Sequence, residues 1–183
     1  MNSMKQPKPA PRPVEVFPKG DLEIVMTRQF HAPRQHVFDA WTKPELLRQW
    51  LGVRGGWTMS VCEIDLRVGG AYRYVWHKAS TGAELAMGGV YREIVPPRRI
   101  VNAETFDDPW YEGQCLVTLE LDEKSGVTTC TLTARYDSVE IRDGILATPM
   151  ATGVEESYAV LDSLLEVRKP DGFAGVRPAA TED

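Results

Sequence analysis

The chain has 183 residues, 26 acidic against 21 basic side chains, a formal charge of −5 and 43% hydrophobic residues. Those values describe one soluble globular domain with tails. They argue against nucleic acid as a partner, because phosphate neutralisation needs clustered Lys and Arg, and no apolar run is long enough to span a membrane.

The segment 1–20 carries Pro7, Pro9, Pro11, Pro13 and Pro18 and has no apolar stretch of the kind a secretory signal needs. Each proline fixes φ and removes a backbone donor, so this Pro-rich arm reads as extended or disordered. The domain is expected over 21–169, with a flexible tail over 170–183. Leu22 to Phe30 reads as a first strand. Pro33 then opens a helix whose apolar face holds Val37, Phe38, Ala40 and Trp41. Thr42 and Glu45 fit a capping box, which starts a second short helix running to about Trp50.

Strands follow over Thr58–Leu66, Ala71–Lys78, Leu85–Val95, Arg99–Phe106, Gln114–Asp122 and Val127–Asp137. Tyr72, Tyr74 and Trp76 alternate cleanly against Arg73, Val75 and His77. Gly88-Gly89 inside its strand points to a bulge. The last element is a long helix, with Thr148 as N-cap and Pro149 at its first position. Its stripe includes Met150, Val154, Ser157, Tyr158, Leu161 and Leu165, while Glu155, Glu156, Asp162 and Glu166 lie mostly on the opposite side. The fold class is therefore α+β: about seven strands in a curved antiparallel sheet, two short helices after strand one, and one amphipathic C-terminal helix buried on the sheet.

The motifs of the common catalytic folds are absent, so the chain reads as a non-enzyme more readily than as an enzyme. His31 and His36 do not share a helix face, and no metal site or cofactor is expected from them. Cys62, Cys115 and Cys130 are odd in number and lack a CxxC spacing, which fits buried residues in a reducing cytoplasm. Asp65 beside Arg67 reads as a structural ion pair. Two readings of the aromatic residues stay open. Trp50, Tyr72, Tyr74, Trp76, Tyr91 and Tyr158 are either solid core or the walls of a pocket. Asn102 and Glu104 share a strand face with Ile100 and Phe106. That face points either inward, raising the Glu104 pKa, or towards solvent or an arginine.

The run from Ala32-Pro33 through Val37-Phe38, Ala40-Trp41-Thr42 and Pro44-Glu45 to Leu47 and Trp50 resembles the opening of the SRPBCC (START-like) superfamily. The branch it is most similar to is named for the C-terminal domain of the activator of the heat-shock-protein-90 ATPase. Asp65-Leu66-Arg67-Val68-Gly69-Gly70 with Tyr72-Arg73 resembles that branch's strand-turn-strand motif. Gly89-Val90-Tyr91 through Pro96-Pro97 to Ile100, and Gly153 through Glu155-Glu156-Ser157 to Leu164, resemble two further segments. The resemblance implies a helix-grip fold, with a cavity between an antiparallel sheet and the last helix.

It also implies three functions: binding of a small apolar molecule or lipid, cyclase or hydrolase chemistry in the same pocket, or chaperone interaction. The eukaryotic co-chaperone has a separate N-terminal domain, for which residues 1–19 are too few. The last-helix motif often carries Trp where this chain has Val154, which enlarges the cavity unless a neighbour such as Trp110 fills it. In the binding reading Tyr72, Tyr74, Trp76, Tyr158 and Val154 form walls, and Glu104 with Asn102 forms the polar end. A homodimer through a sheet edge is also possible.

Overall fold

The structure is a computed structural model that describes residues 12–109 and 111–167. The first eleven residues of the arm, the tail over 170–183 and Trp110 lie outside the described residues.

Among the described residues, eight strands form one antiparallel sheet: β1 (Glu15–Lys19), β2 (Glu23–Phe30), β3 (Trp57–Ile64), β4 (Ala71–Lys78), β5 (Ala83–Val95), β6 (Arg99–Phe106), β7 (Cys115–Lys124) and β8 (Val127–Arg135). Their order is β1-β2-β8-β7-β6-β5-β4-β3. The helices are α1 (Arg34–Thr42), α2 (Pro44–Trp50), α3 (Val139–Leu146) and α4 (Met150–Val167). This is the expected α+β helix-grip architecture: β3 to β8 form a meander, β2 closes on β8, and α4 lies across the concave face.

Two elements exceed the expectation. β1 falls inside the segment read as an arm, so the sheet begins before residue 21. Pro18 is tolerated there because, among the described residues, β1 is an edge strand that pairs with β2 alone. α3 has only eight residues and buries only Arg142, too weak a pattern to read from periodicity. Ser138 caps it, its hydroxyl accepting from the Ile141 amide at 3.2 Å.

The helix starts are corrected too. Thr42 ends α1, and its hydroxyl donates to the Phe38 carbonyl; Lys43 is the N-cap of α2 and Pro44 fills its first turn. No capping box forms, because Thr42 is the last residue of α1 and Lys43 takes the N-cap position. Thr148 likewise donates its hydroxyl backwards, to the Ile145 carbonyl at 2.7 Å. The bulge in β5 lies at Arg92, between Tyr91 and Glu93, and not at Gly88-Gly89. A second register shift falls between Met59 and Val61 in β3. Both bend their strands and strengthen the local twist, which helps the sheet to curve.

The core lies between the concave face and α1, α2 and α4. Phe30, Val37, Leu47, Trp50 and Leu161 are sealed from solvent. Burying side chains of this size contributes roughly 1.5–3 kcal/mol each. All three cysteines are buried and unpaired with one another.

Beneath α4 an inward position of β2 carries a cation. Arg28 alternates inward with Ile24, Met26 and Phe30, and it is 4% exposed. Its guanidinium donates to Glu155 at 2.6 Å and to Asp162, both on α4. Glu155 also accepts from the Val14 amide at 2.6 Å. So two of the acidic residues assigned to the outer side of the helix instead fasten it to the sheet.

Candidate functional site

The cavity between sheet and helix has a volume of ≈ 590 Å³. All nine residues singled out in the sequence lie along its lining: Trp50 from α2, Tyr72, Tyr74 and Trp76 from β4, Tyr91 from β5, Asn102 and Glu104 from β6, and Val154 and Tyr158 from α4. Each is inward because alternation puts every second strand residue on the concave face and helical spacing puts Val154 and Tyr158 on one stripe.

The aromatic walls hold one another. Tyr72 packs at 4.9 Å between ring centroids on Tyr74 and at 5.3 Å on Tyr91. Trp50 donates its indole N–H to the Ala40 carbonyl at 3.0 Å and meets Trp41 edge-on. Trp76 donates to the Leu51 carbonyl at 2.9 Å. A Cβ on residue 52 would sit 2.7 Å from that indole nitrogen, so Gly52 gives the ring its place. Such anchored indoles are rigid walls.

The polar end is a chain of three groups. Asn102 donates its amide to the Tyr72 hydroxyl at 2.7 Å, and Tyr72 donates to Glu104 Oε2 at 2.7 Å. The alignment that permits this runs straight across the sheet: Tyr72 pairs with Gly89, Gly89 with Glu104, and Glu104 with Cys115. A Cβ on residue 89 would lie 2.6 Å from the Tyr72 hydroxyl and 2.3 Å from the Ala103 carbonyl. Gly89 therefore lets the tyrosine reach over it to the carboxyl. The sequence signal was present in Gly88-Gly89, but it marks close approach and not a bulge.

Burial pushes the Glu104 carboxyl up to about 7, and the hydrogen bond from Tyr72 opposes that rise. Glu104 is half-buried by surface area and yet strongly desolvated; it is among the residues that line the cavity. Burial, and then the Glu104 charge, raise the Tyr72 phenol well above its ordinary value, so it remains a donor. Tyr91 is pushed up to about 12, chiefly by burial.

The lining also takes in residues the sequence did not flag. Trp41 and Trp57 add indoles, Cys115 sits beside Glu104, and Ile145 reaches the cavity from α3. Among the described residues, no cluster of three His, Cys, Asp or Glu side chains is placed to hold a metal ion. Asp65 and Arg67 form the expected pair, at 2.9 Å, on the surface.

Residues 31–166 match the family described as activator of Hsp90 ATPase homolog 1-like protein. The chain belongs to that family. A crystal structure from Rhodobacter sphaeroides is 31% identical, with 85% of this chain and 99% of that one covered, at a TM-score of 0.77. Protein CV1439 from Chromobacterium violaceum is 30% identical over 79% and 96% of the two chains, with a TM-score of 0.66. The AHSA1-like protein from Aeromonas hydrophila shares the fold alone: 16% identity over 76% and 93%, TM-score 0.57. No curated protein matches. Within the family's last-helix motif, Val154 is half-buried and faces the cavity, and a Cβ on Gly153 would meet nothing within 4 Å. Among the described residues, no helix is long and apolar enough to cross a membrane.

Proposed function

We propose that the domain binds a small, largely apolar molecule or lipid between the sheet and α4, with the aromatic residues as walls and Glu104, Tyr72 and Asn102 as its polar end. The observation that carries this reading is the cavity itself: ≈ 590 Å³, mostly apolar, with one convergent hydrogen-bonded group of three. That volume falls within the range of drug-sized ligand sites, roughly 300–1,000 Å³. An empty apolar cavity is destabilising in proportion to its volume, so an occupant would stabilise the fold.

The test is native mass spectrometry of the purified full chain, followed by extraction and identification of released molecules. A retained small molecule supports the reading. Val154→Trp, which places an indole in the cavity, should then abolish retention and raise the dissociation constant for the identified molecule by about tenfold or more. Unchanged affinity in that variant would remove this cavity from the account.

A second reading is an enzyme of the cyclase or hydrolase kind in the same cavity. It is supported by Glu104, whose carboxyl near 7 suits general acid–base work at neutral pH. An active preparation in which Glu104→Gln keeps full turnover would dismiss it. The family's name also raises a chaperone partner, and failure to stimulate the ATPase of an Hsp90-type chaperone would count against that.

A further inference from the structure

The polar end of the cavity is a carboxyl without a counter-charge. Among the described residues Glu104 makes no ion pair, and its hydrogen bond is the one from Tyr72 to Oε2. The Tyr72 hydroxyl is itself saturated, donating to Glu104 and accepting from Asn102. What the group still offers the cavity is Glu104 Oε1 and the remainder of the Asn102 amide.

The titratable groups that face Glu104 come from every neighbouring strand. They are Tyr72 and Tyr74 on β4, Tyr91 on β5, Cys115 on β7, Tyr136 after β8 and Tyr111 before β7. All are neutral acids held protonated by burial, and none is a cation. α4 presents Val154, Ser157 and Tyr158 to the cavity. Among the described residues, the other charged one on the lining is Arg54, which forms an ion pair with Glu156. The packed rings of Tyr72, Tyr74 and Tyr91 add π faces close to the carboxyl, and π faces attract cations.

Resting on the small-molecule reading above, we propose that the occupant carries a protonated amine as its polar head, received by Glu104 Oε1 among the tyrosine rings, on an apolar body that fills the rest of the cavity. An ammonium supplies the missing counter-charge and donates the hydrogen bond that Oε1 lacks. A carboxylate head would face a like charge in a desolvated site and is refused.

Three probes of equal body separate the heads: phenylbutylamine, phenylbutanol and phenylbutanoate. Calorimetric titration into the full chain one pH unit above the Glu104 midpoint near 7 should rank the amine first, about tenfold or more tighter than the carboxylate. One unit below the midpoint, proton competition for Glu104 should weaken the amine roughly tenfold relative to one unit above. Glu104→Gln keeps an acceptor for Tyr72. With its fold checked by circular dichroism, it should weaken the amine about tenfold and flatten its pH dependence, while the alcohol changes by less than about threefold.

An alcohol or carboxylate that binds as tightly as the amine at the higher pH overturns the inference. So does an amine affinity unchanged by Glu104→Gln. Nile red, a neutral apolar dye, distinguishes the two levels. If it binds in a manner lost in Val154→Trp while the amine shows no preference, the head-group assignment falls and the cavity reading stands. If neither the dye nor any probe binds, both fall.

Discussion

Glu104 gives up its proton near pH 7 in the folded chain and near 4.5 in the unfolded one. Between those values the folded state holds the extra proton, so stability falls as pH rises; the whole penalty stands above pH 7 and vanishes below the unfolded value. Glu104→Gln removes the charge and keeps the acceptor for Tyr72. Its advantage over the parent should grow from nothing in acid to on the order of 2 kcal/mol above neutrality, allowing for partial solvation. Thermal unfolding of both proteins across that pH range reads it as a widening gap in Tm, roughly 4–8 °C at the alkaline end. A constant gap would mean that the carboxyl is not desolvated. Gly89 is the companion position. Gly89→Ala puts a methyl against the Ala103 carbonyl and the Tyr72 hydroxyl. It should lower stability by about 1–3 kcal/mol in urea titrations. It should also raise the Glu104 midpoint, since the Tyr72 hydrogen bond is what holds that carboxyl down, and carbon-detected NMR of the side chain reports the shift.

At the scale of elements, α4 is held by an apolar stripe and by one buried charge. Arg28 on β2 reaches Glu155 and Asp162, one helical face of α4, and Glu155 in turn holds the Val14 amide. Removing one partner of a buried pair strands the rest, at about 3–5 kcal/mol. Arg28→Ala should lose that much in equilibrium unfolding. A triple variant that also carries Glu155→Gln and Asp162→Asn should recover most of the loss, because no uncompensated charge remains. Equal destabilisation in the single and triple variants would assign the effect to the lost contact of the guanidinium over the Phe30 ring instead.

Over the whole molecule, what could be read from sequence was what repeats at short range. Tyr72, Tyr74 and Trp76 announce β4 by alternation, and the shared face of Ile100, Asn102, Glu104 and Phe106 was visible before its direction was. The direction depends on which side α4 covers, a long-range fact. β1 was hidden because proline usually argues against a strand, and an edge position cancels the objection. α3 was hidden because one buried residue makes no stripe. The Arg28 link joins residues more than a hundred positions apart, which no local period records. The alignment of Tyr72, Gly89 and Glu104 needs the register of three strands at once.

The pairing of β2 with β8 has a consequence for how the protein is made. Phe30 lies opposite Thr128 and Glu23 opposite Arg135, so the second strand emerges from the ribosome about a hundred residues before β8, its partner on the side away from β1, exists. The hairpins from β3 to β8 can form in the order of synthesis, each beside the last. The N-terminal strands, with Arg28 still facing inward and uncovered, must wait for β8 and then for α4. High sequence separation of this kind slows folding and leaves apolar strands open to wrong partners in the interval. On this topology a nascent chain stalled just before β8 should stay sensitive to protease at β2, and protection should arrive only when the final helix clears the exit tunnel.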